Sequence, residues 1–195
     1  MKNHPKLKFL KVSLALCALA GGLASSAVAA TPASGGPDPI EVSELTAAKR
    51  AWCDALLLIS RTHREGGDAA AVAAKVIDSA YNYGQAPVLF KPTLTFGEQT
   101  FRTTREGALA YFVGGNPAFP SDKGFALNPW VAADFTIAAT YVEGPIGITM
   151  GHVTLTNAEG AKTTVEKTFV FRRGDDGNFR IVLHKSALPF KPASS

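Results

Sequence analysis

The chain has little cysteine and no clustered metal ligands. Cys17 and Cys53 are its two cysteines in 195 residues, which excludes a disulfide-rich scaffold. The histidines are scattered singly, and neither H-x-x-x-H nor C-x-x-C spacing occurs, although such spacings are typical of zinc sites. We therefore predict no metal site.

Several catalytic and nucleotide-binding signatures are also missing. The sequence contains no G-x-S-x-G nucleophile elbow and no G-x-x-x-x-G-K-[ST] phosphate loop. A dinucleotide-binding G-x-G-x-x-G between a strand and a helix is absent as well. These absences predict that the protein uses no cofactor.

Acidic residues are missing from the first thirty positions, which hold Lys2, Lys6, Lys8 and Lys11. These four lysines account for the whole formal charge of +4, so residues 31–195 are electrically balanced. A balanced domain gives no general electrostatic reason to bind nucleic acid or an anionic membrane. We predict neither as a partner once the N-terminal segment is removed.

The N-terminal segment has the three parts of a secretory signal peptide. Residues 1–11 are basic, residues 12–23 are apolar, and residues 27–29 read Ala-Val-Ala. The apolar run is shorter than the roughly 20 residues that a membrane-spanning helix needs. The pattern predicts cleavage after Ala29 or Ala30 and a periplasmic or secreted protein.

The rest of the chain is predicted to form one domain. Residues 31–39 (TPASGGPDP) have the composition of a flexible leader. The predicted organisation is a signal peptide (1–30), the leader (31–39), a single α+β domain (40–190) and a tail (191–195).

The first half of this domain has helical periodicity. Apolar residues recur every three or four positions from Val42 to His63, which predicts a long amphipathic helix ending at Gly66. Asp68 suits the N-cap of a second helix. Thr103 with Glu106 forms a capping-box pattern that predicts a third.

The second half has a period of two, which indicates strands. Short turn-forming sequences separate the predicted strands, so neighbours must pair in antiparallel fashion. Helices followed by a meander predict an α+β fold with the helices on one face of a curved sheet. The four strands are expected at 134–142, 146–156, 162–172 and 178–187.

The end of the chain resembles a known family. Residues 181–189 read I-V-L-H-K-S-A-L-P, and residues 90–92 read F-K-P. These motifs resemble nuclear transport factor 2-like proteins, particularly the association domain of calcium/calmodulin-dependent kinase II and its bacterial SnoaL-like relatives. The resemblance implies a cone in which a bent antiparallel sheet wraps around the first helix and leaves a cavity. It also implies pairing of two cones through the outer sheet face.

The hairpin at residues 174–178 predicts a register for the last two strands. Continuing that register places Thr168 opposite His184 and Glu166 opposite Ser186, with all four side chains on one sheet face. The other face would carry the apolar side chains of both strands: Val165, Phe169, Phe171, Ile181 and Leu183.

If the polar face lines the cavity, Glu166 and His184 are candidate catalytic acid/base or ligand-orienting groups. If it faces outward, the phenylalanine face packs on the helices instead, and an antiparallel sheet allows both arrangements. The candidate ligand-binding residues are Tyr83, Tyr111, Trp130, Glu166, Thr168, His184 and Ser186.

The leading functional prediction is an exported protein that binds a small organic molecule in its cavity, with no catalysis demonstrated by the sequence. In this hypothesis a second subunit covers the phenylalanine face, giving a homodimer. One alternative is an enzyme of the lyase or isomerase type with Glu166 or His184 as general base. Another is an oligomeric assembly module.

Overall fold

The computed structural model describes residues 36–192. The predicted signal peptide and its cleavage site, residues 31–35 of the leader and residues 193–195 of the tail lie outside the described residues. Within the described part, no helix has both the length and the apolar character needed to cross a membrane.

The order of elements agrees with the prediction of helices followed by a meander. The helices are α1 (Val42–Arg64), α2 (Ala69–Ala80) and α3 (Arg105–Val113). The strands are β1 (Leu89–Lys91), β2 (Trp130–Glu143), β3 (Ile146–Asn157), β4 (Lys162–Arg173) and β5 (Phe179–Ala187).

Local side-chain capping sets where the helices begin. Asp68 caps α2, as predicted, by accepting a hydrogen bond from the Ala71 amide. The cap of α3 is Thr104 rather than Thr103, because the Thr104 hydroxyl accepts from the Gly107 amide at 3.1 Å. The third residue after this cap is Gly107, which has no side chain to bond back, so the predicted capping box is not formed.

The sheet has the strand order β1-β5-β4-β3-β2. Its four long strands form the predicted antiparallel meander. The short strand β1 pairs in parallel with β5 at the edge, so the sheet is mixed rather than wholly antiparallel. Strand β2 also begins four residues before the predicted position 134.

Helix α1 packs on the inner face of this sheet. The Leu45 side chain lies over Gly147, where an added Cβ would come within 2.6 Å of it. Further along α1, the Trp52 and Phe169 rings contact at a centroid distance of 5.5 Å. Phe169 and Phe171 are buried on this inner face. The hypothesis that a second subunit covers them is therefore wrong.

A β-bulge changes the register of β4 and β5. Near the turn the strands pair as predicted, with Phe171 opposite Ile181, but the next pair is Val170 with Leu183. One extra residue on β5 is thereby left without a partner, and every side chain beyond it changes its cross-strand neighbour. His184 consequently lies opposite Phe169.

The predicted polar face is therefore not formed. Glu166 lies opposite Ala187 and Thr168 opposite Lys185, and neither joins His184. Because side chains alternate along a strand, Lys167 takes their place on the inner face. The prediction that Glu166, Thr168, His184 and Ser186 share one face is wrong.

A buried ion pair fixes the segment between β1 and α3. The Arg102 side chain is 1% exposed and its Nη2 donates to both carboxylate oxygens of Asp122 at 2.9 Å. The guanidinium also lies 4.8 Å from the centre of the Phe119 ring and donates to the Gln99 carbonyl. The Arg102 amide donates to the Phe90 carbonyl at 2.8 Å, which ties this segment to β1.

We expect Asp122→Asn to lower the free energy of unfolding by about 3–5 kcal/mol, because it leaves the Arg102 charge buried without a counter-ion. Urea denaturation measures the loss. The matched control is Asp78→Asn, which breaks the exposed pair with Arg105 and should cost less than about 1 kcal/mol. Equal losses in the two variants would contradict the role given to the buried pair.

Candidate active site

His184 lies at the centre of an aromatic cluster. Its ring is 1% exposed and is sandwiched between Phe169 and Phe90, at centroid distances of 4.3 and 4.6 Å. The edge of the Trp52 ring system completes the enclosure at 5.3 Å. Strands β1, β4 and β5 and helix α1 each contribute one of these rings, so the fold holds the imidazole in one orientation.

Both nitrogens of His184 have hydrogen-bond partners. The Tyr81 hydroxyl lies 3.0 Å from Nδ1 and Lys167 Nζ lies 2.9 Å from Nε2. Trp52 Nε1 donates to the Tyr81 hydroxyl at 3.0 Å. A neutral imidazole carries one N–H, so it donates either to Tyr81 or to a neutral Lys167 amine. The network therefore allows two proton arrangements with the same heavy-atom positions.

Burial sets the charges in this network. It lowers the pKa of Lys167 to about 7, and the nearby Lys49 charge acts in the same direction. Burial, followed by the Lys167 charge, keeps the pKa of His184 well below its usual 6.5. Desolvation also raises the pKa of Tyr81 well above 10. Of these three groups, Lys167 is the one that changes charge near neutral pH.

Three hydroxyl groups lie on the polar side of the site. Ser186 Oγ is 2.6 Å from Thr93 Oγ1 and accepts from Lys167 Nζ at 3.3 Å. The Tyr111 hydroxyl is buried and has no hydrogen-bond partner of normal geometry, although it lies close to Thr93. Burial raises the pKa of Tyr111 to about 12. An unpartnered buried hydroxyl is costly and is readily satisfied by a ligand.

These groups line one closely packed cleft that has no room for a water molecule, and its other walls are aromatic. Its lining residues are Trp52, Phe90, Pro92, Thr93, Tyr111, Phe112, Phe125, Lys167, His184 and Ser186. No carboxylate is among them. The open cavity implied by the family resemblance is therefore not seen at this site. A ligand enters only when side chains move apart, and the lining then favours a small molecule that tolerates apolar walls and accepts hydrogen bonds at one end.

Three of the residues predicted from the sequence come together in this cleft: Tyr111, His184 and Ser186. The others lie elsewhere. Tyr83 donates to the Arg102 carbonyl at 2.7 Å, and Trp130 donates to the Phe125 carbonyl from behind the cleft wall. Glu166 and Thr168 lie on the outer sheet face, because the bulge in β5 places His184 and Ser186 on the inner face with Phe169 instead.

Sequence reasoning missed Lys167 and Thr93. Lys167 had a visible signal, because it interrupts an alternating row of apolar residues that includes Val165 and Phe169. A lysine in such a row is buried when its face is buried. Thr93 directly follows the F-K-P motif, but no local pattern indicates that it reaches Ser186.

A comparison with protein families decides the assignment. The family model of metal-independent carbonic anhydrase matches residues 43–188, which span nearly the whole described domain. This chain belongs to the metal-independent carbonic anhydrase family. Within residues 36–192, no group of three or more histidine, cysteine, aspartate or glutamate side chains is placed to hold a metal ion.

Individual relatives agree with the family match. A metal-independent carbonic anhydrase from Nostoc sp. is 51% identical over 154 residues, which cover 78% of this chain and 75% of the relative. The crystal structure of a cyanobacterial iota-carbonic anhydrase complexed with bicarbonate has 49% sequence identity and a TM-score of 0.78. That match covers 80% of this chain and 96% of the cyanobacterial one.

A more distant structure shares only the fold. A ketosteroid isomerase-like protein from Parabacteroides distasonis has 15% identity and a TM-score of 0.50, with 79% of this chain and 92% of that chain covered. The predicted nuclear transport factor 2-like α+β fold is confirmed. The SnoaL-like and kinase-association assignments are replaced by the carbonic anhydrase family.

The relatives also correct the functional prediction. A binding protein without catalysis is the wrong expectation for a chain whose relatives at 49–51% identity are carbonic anhydrases. The alternative of a lyase-type enzyme is closer. It named His184, which lies in the cleft, together with Glu166, which does not.

The buried amine makes stability depend on pH. Between the folded pKa of about 7 and the usual 10.5, the unfolded chain binds a proton at Lys167 that the folded chain does not. The contribution of this group to stability therefore rises with pH across that window. Relative to Lys167→Met, the wild-type free energy of unfolding should rise by about 1 kcal/mol per pH unit.

Urea denaturation of both proteins between neutral pH and the onset of tyrosine ionisation measures this difference. Lys185→Met removes an exposed lysine from the other face of β5. Its free energy of unfolding should depend on pH as that of the wild type does. If the free energy of unfolding changes with pH equally in the wild type and in Lys167→Met, Lys167 keeps its usual pKa.

Proposed function

We propose that this chain interconverts carbon dioxide and bicarbonate in the cleft around His184. The proposal is supported by membership of the metal-independent carbonic anhydrase family and by the bicarbonate complex of a structure with 49% identity. The observation that carries it is the convergence of three hydroxyls and one amine of near-neutral pKa on a cleft without carboxylates.

The cleft suits both molecules of the reaction. Carbon dioxide has no net charge, so the aromatic walls accept it without the penalty of burying an ion. Bicarbonate needs hydrogen-bond donors, and Thr93, Tyr111 and Ser186 provide hydroxyls on the side where Lys167 lies. Hydrogen bonds to the ligand replace the hydrogen bond between Thr93 and Ser186, since each hydroxyl both donates and accepts.

Lys167 is suited to take the proton that hydration releases. The water oxygen forms a bond to the carbon of carbon dioxide, one C–O π pair moves to oxygen, and one proton leaves to give bicarbonate. The neutral Lys167 amine accepts this proton, and its pKa of about 7 lies where a base works at neutral pH. His184 remains neutral and holds the amine through its 2.9 Å contact.

Glu166 has no part in this mechanism. It lies on the outer sheet face, opposite Ala187. His184 acts as a positioning residue rather than as the general base, because burial and the Lys167 charge disfavour its protonated form. The relatives are called metal-independent, so we expect the same reaction here without an added metal.

The activity prediction concerns Lys167 and Ser186. We expect Lys167→Met to lower kcat/KM for carbon dioxide hydration by about 10²–10⁴-fold, the usual contribution of a positioned general base. Ser186→Ala, which removes one donor to bicarbonate, should lower it by about tenfold. Stopped-flow hydration assays with a pH indicator measure both, and a chelator should leave the wild-type rate unchanged.

Lys185→Met serves as the matched control and should retain the wild-type rate. The pH profile separates a base from a structural lysine. In the wild type, kcat/KM should rise through the pKa of Lys167 at about 7 and then level off. Full activity in Lys167→Met, or a profile that falls with rising pH, would refute the assignment.

We also propose that the protein is exported, on the basis of its N-terminal sequence. Expression of the full chain in a bacterial host should yield a mature form beginning at Ala30 or Thr31 in the periplasm or the medium. N-terminal sequencing checks this. An uncleaved cytoplasmic product would contradict the proposal. The homodimer stays a prediction.

A further inference from the structure

Lys167 combines three properties that rarely occur together in a lysine. Its side chain is 3% exposed, and its Nζ is among the groups lining the cleft. None of the ion pairs within residues 36–192 includes it. Its polar neighbours are His184 and Ser186, and the Trp52 ring lies 4.4 Å from Nζ.

The neighbouring elements do not supply a counter-charge to this amine. The titratable groups that act on it from α1 are the Lys49 amine and the buried Cys53 thiol. Burial raises the pKa of that thiol to about 11, so the thiol stays uncharged at neutral pH. From β5, the neutral His184 faces it. A buried amine without a carboxylate partner loses its proton easily and then carries a free lone pair.

We propose that the Lys167 amine also reacts with carbon dioxide in the cleft and forms a carbamate, an inference that rests on the function proposed above. The Nζ lone pair attacks the carbon, an N–C bond forms, and one C–O π pair moves to oxygen. The nitrogen loses one proton to a base in the solvent, so the product is a carbamate anion and His184 stays neutral. No oxidant or reductant is needed.

The cleft already contains the donors that a carbamate requires. Ser186 Oγ lies 3.3 Å from Nζ, and Thr93 Oγ1 lies 2.6 Å from Ser186 Oγ. The buried Tyr111 hydroxyl lies close to Thr93 and makes no hydrogen bond of normal geometry. A carbamate differs from bicarbonate in having nitrogen in place of the hydroxyl oxygen, so the hydroxyls that suit one anion suit the other.

Carbamate formation has a kinetic consequence. The modified lysine has lost its basic lone pair, and its carboxylate fills the space that bicarbonate needs. The reaction is therefore a slow, reversible self-inhibition that competes with hydration. It should become stronger as pH rises through the pKa of Lys167, because the neutral amine is the reactive form.

The test traps the carbamate in the wild-type protein. The protein is equilibrated with isotopically labelled carbon dioxide at a pH about one unit above the pKa of Lys167, ethylated with an oxonium reagent, digested and analysed by mass spectrometry. We expect label on Lys167 in at least tenfold excess over Lys185 in the same sample. Label on Lys167 no greater than on Lys185 overturns the proposal.

Two further measurements test the carbamate independently of the labelling of the wild type. Ser186→Ala, which retains Lys167 but removes a donor, should lower the labelled fraction by severalfold. Dilution of carbonated wild type into a hydration assay should give a low initial rate that recovers with time, and an immediate full rate counts against the proposal. Hydration without label overturns the carbamate alone, whereas label without hydration supports the carbamate and overturns the proposed function.

Discussion

The contact between Lys167 Nζ and His184 Nε2 is the interaction on which the site depends. In water a lysine amine is charged and an imidazole is readily protonated, yet here the two share one hydrogen bond of 2.9 Å in an aromatic interior. Burying either without a partner would be costly. Each group provides a hydrogen-bond partner for the other. The cost of removing both from water is seen in their lowered pKa values. Burial lowers the pKa of Lys167 to about 7, and the contact with His184 makes that burial tolerable.

The surrounding aromatic rings give this pair its properties. Phe90 and Phe169 stack on both faces of His184, which excludes water and fixes the direction of both ring nitrogens. In such a medium, hydrogen bonds and proton affinities depend on a few fixed neighbours rather than on solvent. The hydroxyls of Thr93, Tyr111 and Ser186 are then polar groups available to a ligand on that side.

Features of this molecule that depend on local interactions along the chain were predictable from the sequence, and features that depend on pairing between distant segments were not. Helix α1 and the meander depend on local periodicity and turns, and both were predictable. The face on which the later residues of β5 lie was not, because the bulge follows Ile181 within the apolar run Ile181–Leu183, where no glycine or proline marks an extra residue. His184 and Ser186 were found because their own spacing places them on one face. Lys167 was missed because its apolar row was predicted to form the face opposite His184, and the bulge in β5 is what brings the two together.

Strand β1 has only three residues and lies at the sheet edge, yet it carries Phe90 and leads directly into Thr93. One wall of the cleft and one of its hydroxyls are therefore attached to the least extensively paired strand of the sheet. Edge segments of this kind open at lower free energy than central strands. Local opening at this edge would widen the cleft while the pair on β4 and β5 stays in place. The flexibility needed for entry and release is thus separated from the rigidity needed for proton transfer.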